Sequence, residues 1–139
     1  MTSETFSQTE TFDIGKHIGE NAKAGDIITL SGDLGVGKTV FAQGVAAGLG
    51  IKDHVCSPTF TILQVYDDGR LPLYHFDTYR IEDPGEMEAI GYEDYFFGDG
   101  VCIIEWPEMV DDLLPDTVTA VSIFKDPSKG TDYRRITVA

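Results

Sequence analysis

The sequence predicts a single α/β domain, residues 1–139, in which a mixed, mostly parallel central sheet is flanked by helices. A chain of 139 residues is long enough for one ordinary domain. Residues 27–31 and 101–104 are short, nearly continuous apolar runs, which are typical of strands buried on both faces. Helical patterns and further strand patterns alternate with these runs, as in layered α/β folds.

The remaining elements follow from periodicity and turn residues. Apolar residues at helical spacing predict helices over residues 11–23 and 40–49, and Pro84 suits the first turn of a short helix over 86–90. Two strand-like runs, 59–66 and 71–77, flank the turn 67–70 and predict a hairpin. One or two helical turns are expected over 107–114. Two late strands, 117–124 and 135–138, are expected to be antiparallel at the far side of the sheet.

Composition restricts the possible partners. The formal net charge of −14 opposes direct binding to nucleic acid or to anionic membranes. No apolar run is long enough to span a bilayer, and the polar N-terminus does not resemble a signal peptide. We expect residues 1–9 to be flexible unless something holds them. Cys56 and Cys102 lie in apolar stretches without a C-x-x-C spacing, which predicts two buried, reduced thiols in a cytoplasmic protein.

Residues 32–39, GDLGVGKT, match the phosphate-binding pattern G-x-x-x-x-G-K-[ST] in full. Glycines allow backbone N–H groups to surround phosphate oxygens, and the following helix directs its positive end to the same anion. In such loops the lysine, here Lys38, reaches the β- and γ-phosphates, and the hydroxyl of Thr39 can bind Mg²⁺. The predicted strand before the motif and helix after it are the required context, so the segment predicts nucleotide binding.

A nucleotide site of this kind also needs a carboxylate at the end of a neighbouring strand to hold the metal. Glu105 directly follows the apolar run 101–104, although it could be an ordinary solvated acid. Asp77 follows the run 71–76, and composition alone leaves it as easily structural as functional. His75 and Trp106 are more often structural residues in such positions.

Four segments in this order, GDLGVGKT, SPTF, HFDTYR and IEWPE, resemble the TsaE family, the small bacterial P-loop ATPases that assist threonylcarbamoyladenosine formation on tRNA. The resemblance extends from about residue 9 to the last strand. It implies a P-loop NTPase-like fold, Mg²⁺-dependent ATP hydrolysis and cytoplasmic action with the TsaD and TsaB proteins. Those partners would carry out the transfer and meet the tRNA, so that this chain contacts tRNA only indirectly and no membrane at all.

The resemblance also implies roles for individual residues. Thr39 and Glu105 would hold Mg²⁺, and Lys38, Asp77 and Glu105 would serve hydrolysis. Ser57, Pro58 and Thr59 would form a γ-phosphate-sensing switch, with Trp106 beside the site. Looser matches imply further nucleotide contacts from Thr9, Thr11 and Arg134. The residues that would surround the phosphates are Asp33, Leu34, Gly35, Val36, Gly37, Lys38 and Thr39.

Three other functions stay open on the residues alone. A GTPase would carry an N/TKxD guanine-reading element, and residues 128–132 do not match it. A small-molecule kinase would need basic lid residues, yet the four arginines do not cluster into a lid. A module that binds a nucleotide without hydrolysing it is disfavoured, because Asp77 and Glu105 are the kind of acids that hydrolysis uses. In an assay of the isolated chain, however, such a module would resemble an ATPase that is very slow without its partners.

Overall fold

A computed structural model describes residues 1–33, 36–56, 58 and 61–139. In these residues seven strands form one mixed sheet in the order β1-β7-β6-β2-β5-β4-β3. The strands are β1 (Thr2–Thr5), β2 (Ile27–Ser31), β3 (Leu63–Tyr66), β4 (Leu73–Asp77), β5 (Val101–Glu105), β6 (Thr119–Lys125) and β7 (Arg134–Val138). The helices are α1 (Gln8–Asn21), α2 (Lys38–Gly48), α3 (Gly85–Ala89) and α4 (Tyr92–Phe96), with 3₁₀ segments at Pro107–Leu113 and Pro127–Lys129.

The centre of the sheet is parallel. Strands β6, β2, β5 and β4 pair in parallel, while β3 and β7 pair antiparallel with their neighbours. The predicted α/β class and mostly parallel sheet are therefore confirmed. The two late strands are antiparallel to each other as expected, but β6 also joins the parallel centre beside β2.

Two apolar clusters cover the two faces of the sheet. On one face, side chains such as Leu30 and Ile103 pack with Phe41 and Val45 of α2. On the other, alternate residues of the same strands pack with α3, α4 and the 3₁₀ segment Pro107–Leu113. Because successive strand residues point to opposite faces, Asp77 and Glu105 lie on the face that carries α1 and α2.

Helices α1 and α2 are in unusually close contact because each carries two glycines four residues apart. A Cβ atom on any of the four would collide with a backbone oxygen of the other helix. The pairs are Gly15 with Phe41, Gly19 with Val45, Gly44 with Phe12 and Gly48 with Lys16. The numbers rise together along both helices, so the helices run parallel and their N-termini lie at the same end of the sheet.

The N-terminal segment is held by a distant strand. Residues 2–5, expected to be flexible unless something holds them, form β1 because they pair antiparallel with β7. Helix α1 begins at Gln8 rather than residue 11, since Ser7 Oγ accepts from the N–H of Glu10 and the Glu10 carboxylate accepts from the N–H of Phe6. None of the helices in the described ranges combines the length and apolar character that a bilayer span requires.

The two cysteines differ in environment. Both are free thiols, but Cys56 is exposed, whereas Cys102 is buried in β5 and donates to the carbonyl oxygen of Tyr95. The expectation of two buried thiols was therefore wrong for Cys56. It lies outside the sheet, between α2 and β3.

Candidate functional site

A cavity of about 380 Å³ opens at the carboxyl ends of β4 and β5, beside the N-termini of α1 and α2. Its volume falls within the usual range of small-molecule sites, and the carboxyl ends of parallel strands are where open α/β sheets bind ligands. The lining residues are Gln8, Thr11, Gly37, Lys38, Thr39, Val40, Asp77, Glu105, Trp106, Asp132 and Arg134.

The start of α2 depends on glycine backbone conformations. Gly37, the N-cap of α2, has φ +103°, and Gly32 has φ +151°, both in the region that side chains rarely adopt. A Cβ on Gly32 would also lie 2.7 Å from the carbonyl oxygen of Ile123 in β6. Gly32 therefore allows the chain to turn sharply after β2. Gly37 allows α2 to begin with its first N–H groups directed toward the cavity.

Lys38 is a nearly buried cation in the cavity wall. Its side chain is 6% exposed, its Nζ donates to the carbonyl oxygen of Gly32 at 2.8 Å, and the same Nζ lies 3.8 Å from the ring centroid of Trp106. Burial lowers the pKa of the Lys38 ammonium, while the Glu105 and Asp77 carboxylates act in the opposite direction. A desolvated donor of this kind interacts strongly with an anionic ligand.

Asp77 and Glu105 are neighbours at the ends of adjacent parallel strands. They are direct partners in the β4–β5 register, and both line the cavity. Burial raises the pKa of the Asp77 carboxyl, and the Glu105 carboxylate adds to this shift, whereas the N–H of Tyr79, which donates at 3.1 Å, opposes it. Two adjacent carboxyl groups can hold a cation, and a raised pKa makes Asp77 the better proton acceptor.

The end of β5, Glu105 with Trp106 after it, forms a corner that is held by His75 of β4 and by Thr78, the residue after β4. His75 Nε2 lies 2.7 Å from Glu105 Oε2, and both side chains are buried. The hydroxyl of Thr78 donates to the carbonyl oxygens of Glu105 at 2.9 Å and Trp106 at 2.7 Å. Trp106 itself has φ +60°, a backbone conformation that no other described non-glycine residue shares. Strain of this kind is common at functional sites.

A further part of the cavity lining comes from α1 and the start of β7. Thr11 is buried, with its Oγ1 2.8 Å from Thr5 Oγ1 of β1. Arg134 donates through Nε to the carbonyl oxygen of Val36 at 2.6 Å and through NH1 to those of Thr131 and Tyr133. Arg134 thus lines the cavity and at the same time braces the loop that precedes α2.

The family model described as threonylcarbamoyl adenosine biosynthesis protein TsaE matches residues 5–136. This chain belongs to the TsaE family. A TsaE protein of Bacillus subtilis is 48% identical over 133 residues, covering 96% of this chain and 81% of the relative. One of Treponema pallidum is 42% identical, covering 84% of this chain and 86% of the relative. The crystal structure of Bacillus subtilis YdiB matches with a TM-score of 0.84 and 41% identity, covering 99% of this chain and 83% of that structure.

Of the sixteen predicted site residues, eight line the cavity, while the roles of all of them stay predictions. Those lining the cavity are Thr11, Gly37, Lys38, Thr39, Asp77, Glu105, Trp106 and Arg134. Thr9, Asp33, Val36 and Pro58 are described but are not among the lining residues; Val36 is buried, and Thr9 is exposed on α1. Leu34, Gly35, Ser57 and Thr59 lie outside the described residues.

Sequence reasoning undervalued His75 and did not single out Thr78. Both contact the Glu105–Trp106 corner directly. A signal was available, because His75 and Asp77 are two residues apart in a strand and must share one face of the sheet. Gln8 and Asp132 also line the cavity, and no local pattern marks either of them.

Proposed function

We propose that this chain binds ATP with Mg²⁺ and hydrolyses it as an accessory protein of tRNA N6-threonylcarbamoyladenosine biosynthesis, acting with the TsaD and TsaB proteins. One observation carries the proposal. A single cavity collects Lys38 and Thr39 from the start of α2 together with Asp77 and Glu105 from the ends of two neighbouring strands. Family membership supports the pathway, since the relatives are described as proteins of tRNA threonylcarbamoyladenosine biosynthesis. A role in tRNA modification implies the cytoplasm.

The chemistry of the wall fits a nucleoside triphosphate. The Lys38 ammonium and the N-terminal amides of α2 suit phosphate oxygens, and Arg134 adds a second positive group. The Thr39 hydroxyl and the Glu105 carboxylate are hard oxygen donors of the kind that Mg²⁺ accepts alongside phosphate oxygens and water. When bound, Mg²⁺ would neutralise part of the phosphate charge.

Asp77 is the residue we assign to the attacking water. In hydrolysis the water oxygen forms a bond to the γ-phosphorus while the bond from that phosphorus to the β,γ-bridging oxygen breaks, which releases ADP and phosphate. A carboxylate that is half-buried beside Glu105 can accept a hydrogen bond from that water. Lys38 would stabilise the negative charge on the phosphoryl oxygens during the same step.

We expect turnover by the isolated chain to be slow. Among the described residues that line the cavity, the positive side chains are Lys38 and Arg134. Lys38 already donates to the carbonyl oxygen of Gly32, and Arg134 to that of Val36. In P-loop enzymes a completing arginine contributes about 10³–10⁵ in rate. A partner that supplies such a group, or that acts through the predicted switch at residues 57–59, would therefore activate the site.

The test is steady-state phosphate release from ATP against increasing concentrations of a TsaB–TsaD complex. We expect a low basal rate that rises to a plateau, with no rise for Lys38→Ala. In parallel, the affinity of the complex is measured with a non-hydrolysable ATP analogue and with ADP, and we expect the two affinities to differ. A rate that is unchanged at saturating partner, with equal affinities in both nucleotide states, would overturn the partner-dependent ATPase and favour a free-standing kinase.

A further inference from the structure

His75 is a fully buried polar residue to which the proposed mechanism gives no role. It lies in the middle of β4 on the same face as Asp77, and its Nε2 meets Glu105 Oε2 across the β4–β5 pair at 2.7 Å. The other ring nitrogen, Nδ1, has no hydrogen-bond partner among the described residues. A buried polar atom without a partner is costly, so the arrangement needs an explanation beyond packing.

The contact defines which ring nitrogen carries the proton. An ionised carboxylate accepts hydrogen bonds and cannot donate one, so Nε2 must be the N–H in contact with Oε2. Nδ1 does not take part in this contact. The geometry therefore indicates that the ring donates to Glu105 through Nε2.

The backbone of Glu105 is fixed separately from its side chain. Thr78 binds the carbonyl oxygen of Glu105 through its N–H at 3.2 Å and through its hydroxyl at 2.9 Å. With the backbone held in this way, the remaining freedom of Glu105 is rotation about its side-chain bonds. The contact with His75 restrains that rotation.

We propose that His75 is a positioning residue that holds the Glu105 carboxylate in the orientation required for binding a divalent cation beside the nucleotide. This inference rests on the proposed function, because it assigns a purpose to Glu105 that only a nucleotide–Mg²⁺ site would use. Carboxylates that bind metals are themselves commonly held by hydrogen bonds, and loss of such a partner costs about 10–100-fold in metal affinity or activity.

Two amide variants separate this role from simple filling of space. In His75→Gln the side-chain NH₂ can reach the position of Nε2, whereas in His75→Asn it reaches only about as far as Nδ1. Both replace the ring by an uncharged amide. ATP affinity is measured by calorimetry in EDTA and at increasing Mg²⁺, with circular dichroism and thermal unfolding as the check on folding.

We expect both variants to bind ATP in EDTA within about twofold of the wild type. The increase in affinity produced by Mg²⁺ should fall by about tenfold or more in His75→Asn and by about threefold or less in His75→Gln. An unchanged Mg²⁺ effect in His75→Asn, or equal losses in both variants, would overturn the positioning role. Failure of the wild type to bind ATP, or to respond to Mg²⁺, would overturn the proposed function instead.

A second measurement does not depend on either variant folding. Long-range ¹H–¹⁵N correlation spectra of the wild-type protein without ligand report which nitrogen of His75 is protonated. The proposal requires a proton on Nε2. A proton on Nδ1 alone would mean that the ring does not donate to Glu105, and the inference would fail.

Discussion

The ammonium of Lys38 lies 3.8 Å from the centre of the Trp106 ring, so the cation proposed to bind phosphate rests on the face of an indole. The ring in turn packs against Tyr79, with centroids 4.8 Å apart. Because Trp106 has a left-handed backbone held through its carbonyl by Thr78, the ring is placed by β5 and the start of the next segment rather than by Lys38. The Trp106 ring and the carbonyl oxygen of Gly32 both contact the lysine ammonium.

We predict that Trp106→Leu raises the dissociation constant for ATP by about 2–10-fold, the range expected for loss of a partly buried cation–π contact. Trp106→Phe should lose less, since it keeps an aromatic face. Calorimetric titration measures the effect. Phe124→Leu is the matched control, because it removes the ring that lies 4.9 Å from Arg135 on the other side of the sheet. Equal effects in Trp106→Leu and Phe124→Leu would contradict the prediction.

Lys38 and Thr39 should differ in their dependence on metal. Lys38→Ala removes a charged donor, and we expect ATP affinity to fall by about tenfold or more both in EDTA and in Mg²⁺. Thr39→Ala should change affinity by less than about twofold in EDTA and weaken it only when Mg²⁺ is present. Thr39→Ser, which keeps the hydroxyl, is the control. If Thr39→Ala loses as much in EDTA as in Mg²⁺, the hydroxyl is not a metal ligand.

Glu105→Gln removes the negative charge but keeps an oxygen that can accept from His75. We therefore expect the variant to fold with little change in stability and to hydrolyse ATP at least about 100-fold more slowly, on the order of 3 kcal/mol in the barrier. Phosphate release in the presence of the TsaB–TsaD complex measures the rate. If Glu105→Gln hydrolyses ATP at the normal rate, Glu105 is not the metal ligand and Asp77 becomes the leading candidate for that role.

Local patterns predicted the parts of this fold that local physics determines. Strands β2 and β5 are buried on both faces, so their apolar runs alone identified them. Strand β1 is polar and depends on pairing with β7, more than a hundred residues away in sequence, and no local pattern contains that information. Helix α4 is only five residues long and was missed for a similar reason, since it exists through burial of Tyr92 and Phe96 against the sheet.

The same distinction applies to the site. Lys38 and Thr39 were placed by a motif whose geometry is local, and Glu105 by its position at a strand end. The contact between His75 and Glu105 could not be derived in this way, because it requires β4 to be the neighbour of β5. Strand order is a property of the whole sheet. The hydrogen bond from Arg134 to Val36 likewise depends on the tertiary fold, because it requires β7 to begin close to the chain that precedes α2.

The two thiols should react very differently with a thiol reagent at pH 8. Burial raises the pKa of Cys102 to about 12, and the reactive thiolate is then both rare and inaccessible, whereas Cys56 is exposed. We expect one thiol per chain to react in the native protein and two after unfolding in denaturant. Cys56→Ser should abolish the native reaction and Cys102→Ser should preserve it. Rapid reaction of both thiols in the folded protein would contradict the buried position of Cys102.

Asp77→Asn should stabilise the protein while it impairs hydrolysis. Burial raises the pKa of Asp77 in the folded state, so between the unfolded-state pKa of about 3.9 and that higher value the folded chain binds more protons than the unfolded chain. The free energy of unfolding therefore decreases as pH rises through this window. At pH 7 the full cost of keeping an ionised Asp77 in the folded protein is present. The asparagine carries no charge and avoids the cost.

We expect Asp77→Asn to exceed the wild type in free energy of unfolding at pH 7 by about 0.5–2 kcal/mol, the usual gain when an unfavourable functional group is removed. The difference should shrink as pH falls through the folded-state pKa of Asp77. Urea unfolding between pH 7 and pH 4 measures it. Asp67→Asn, in the exposed hairpin turn, removes one charge from the same highly acidic chain and shows how much of the gain is general relief of repulsion. The prediction fails if Asp77→Asn is less stable than the wild type at pH 7, or if its free energy of unfolding rises no more than that of Asp67→Asn. Either result would show that the ionised Asp77 carboxylate does not destabilise the folded protein.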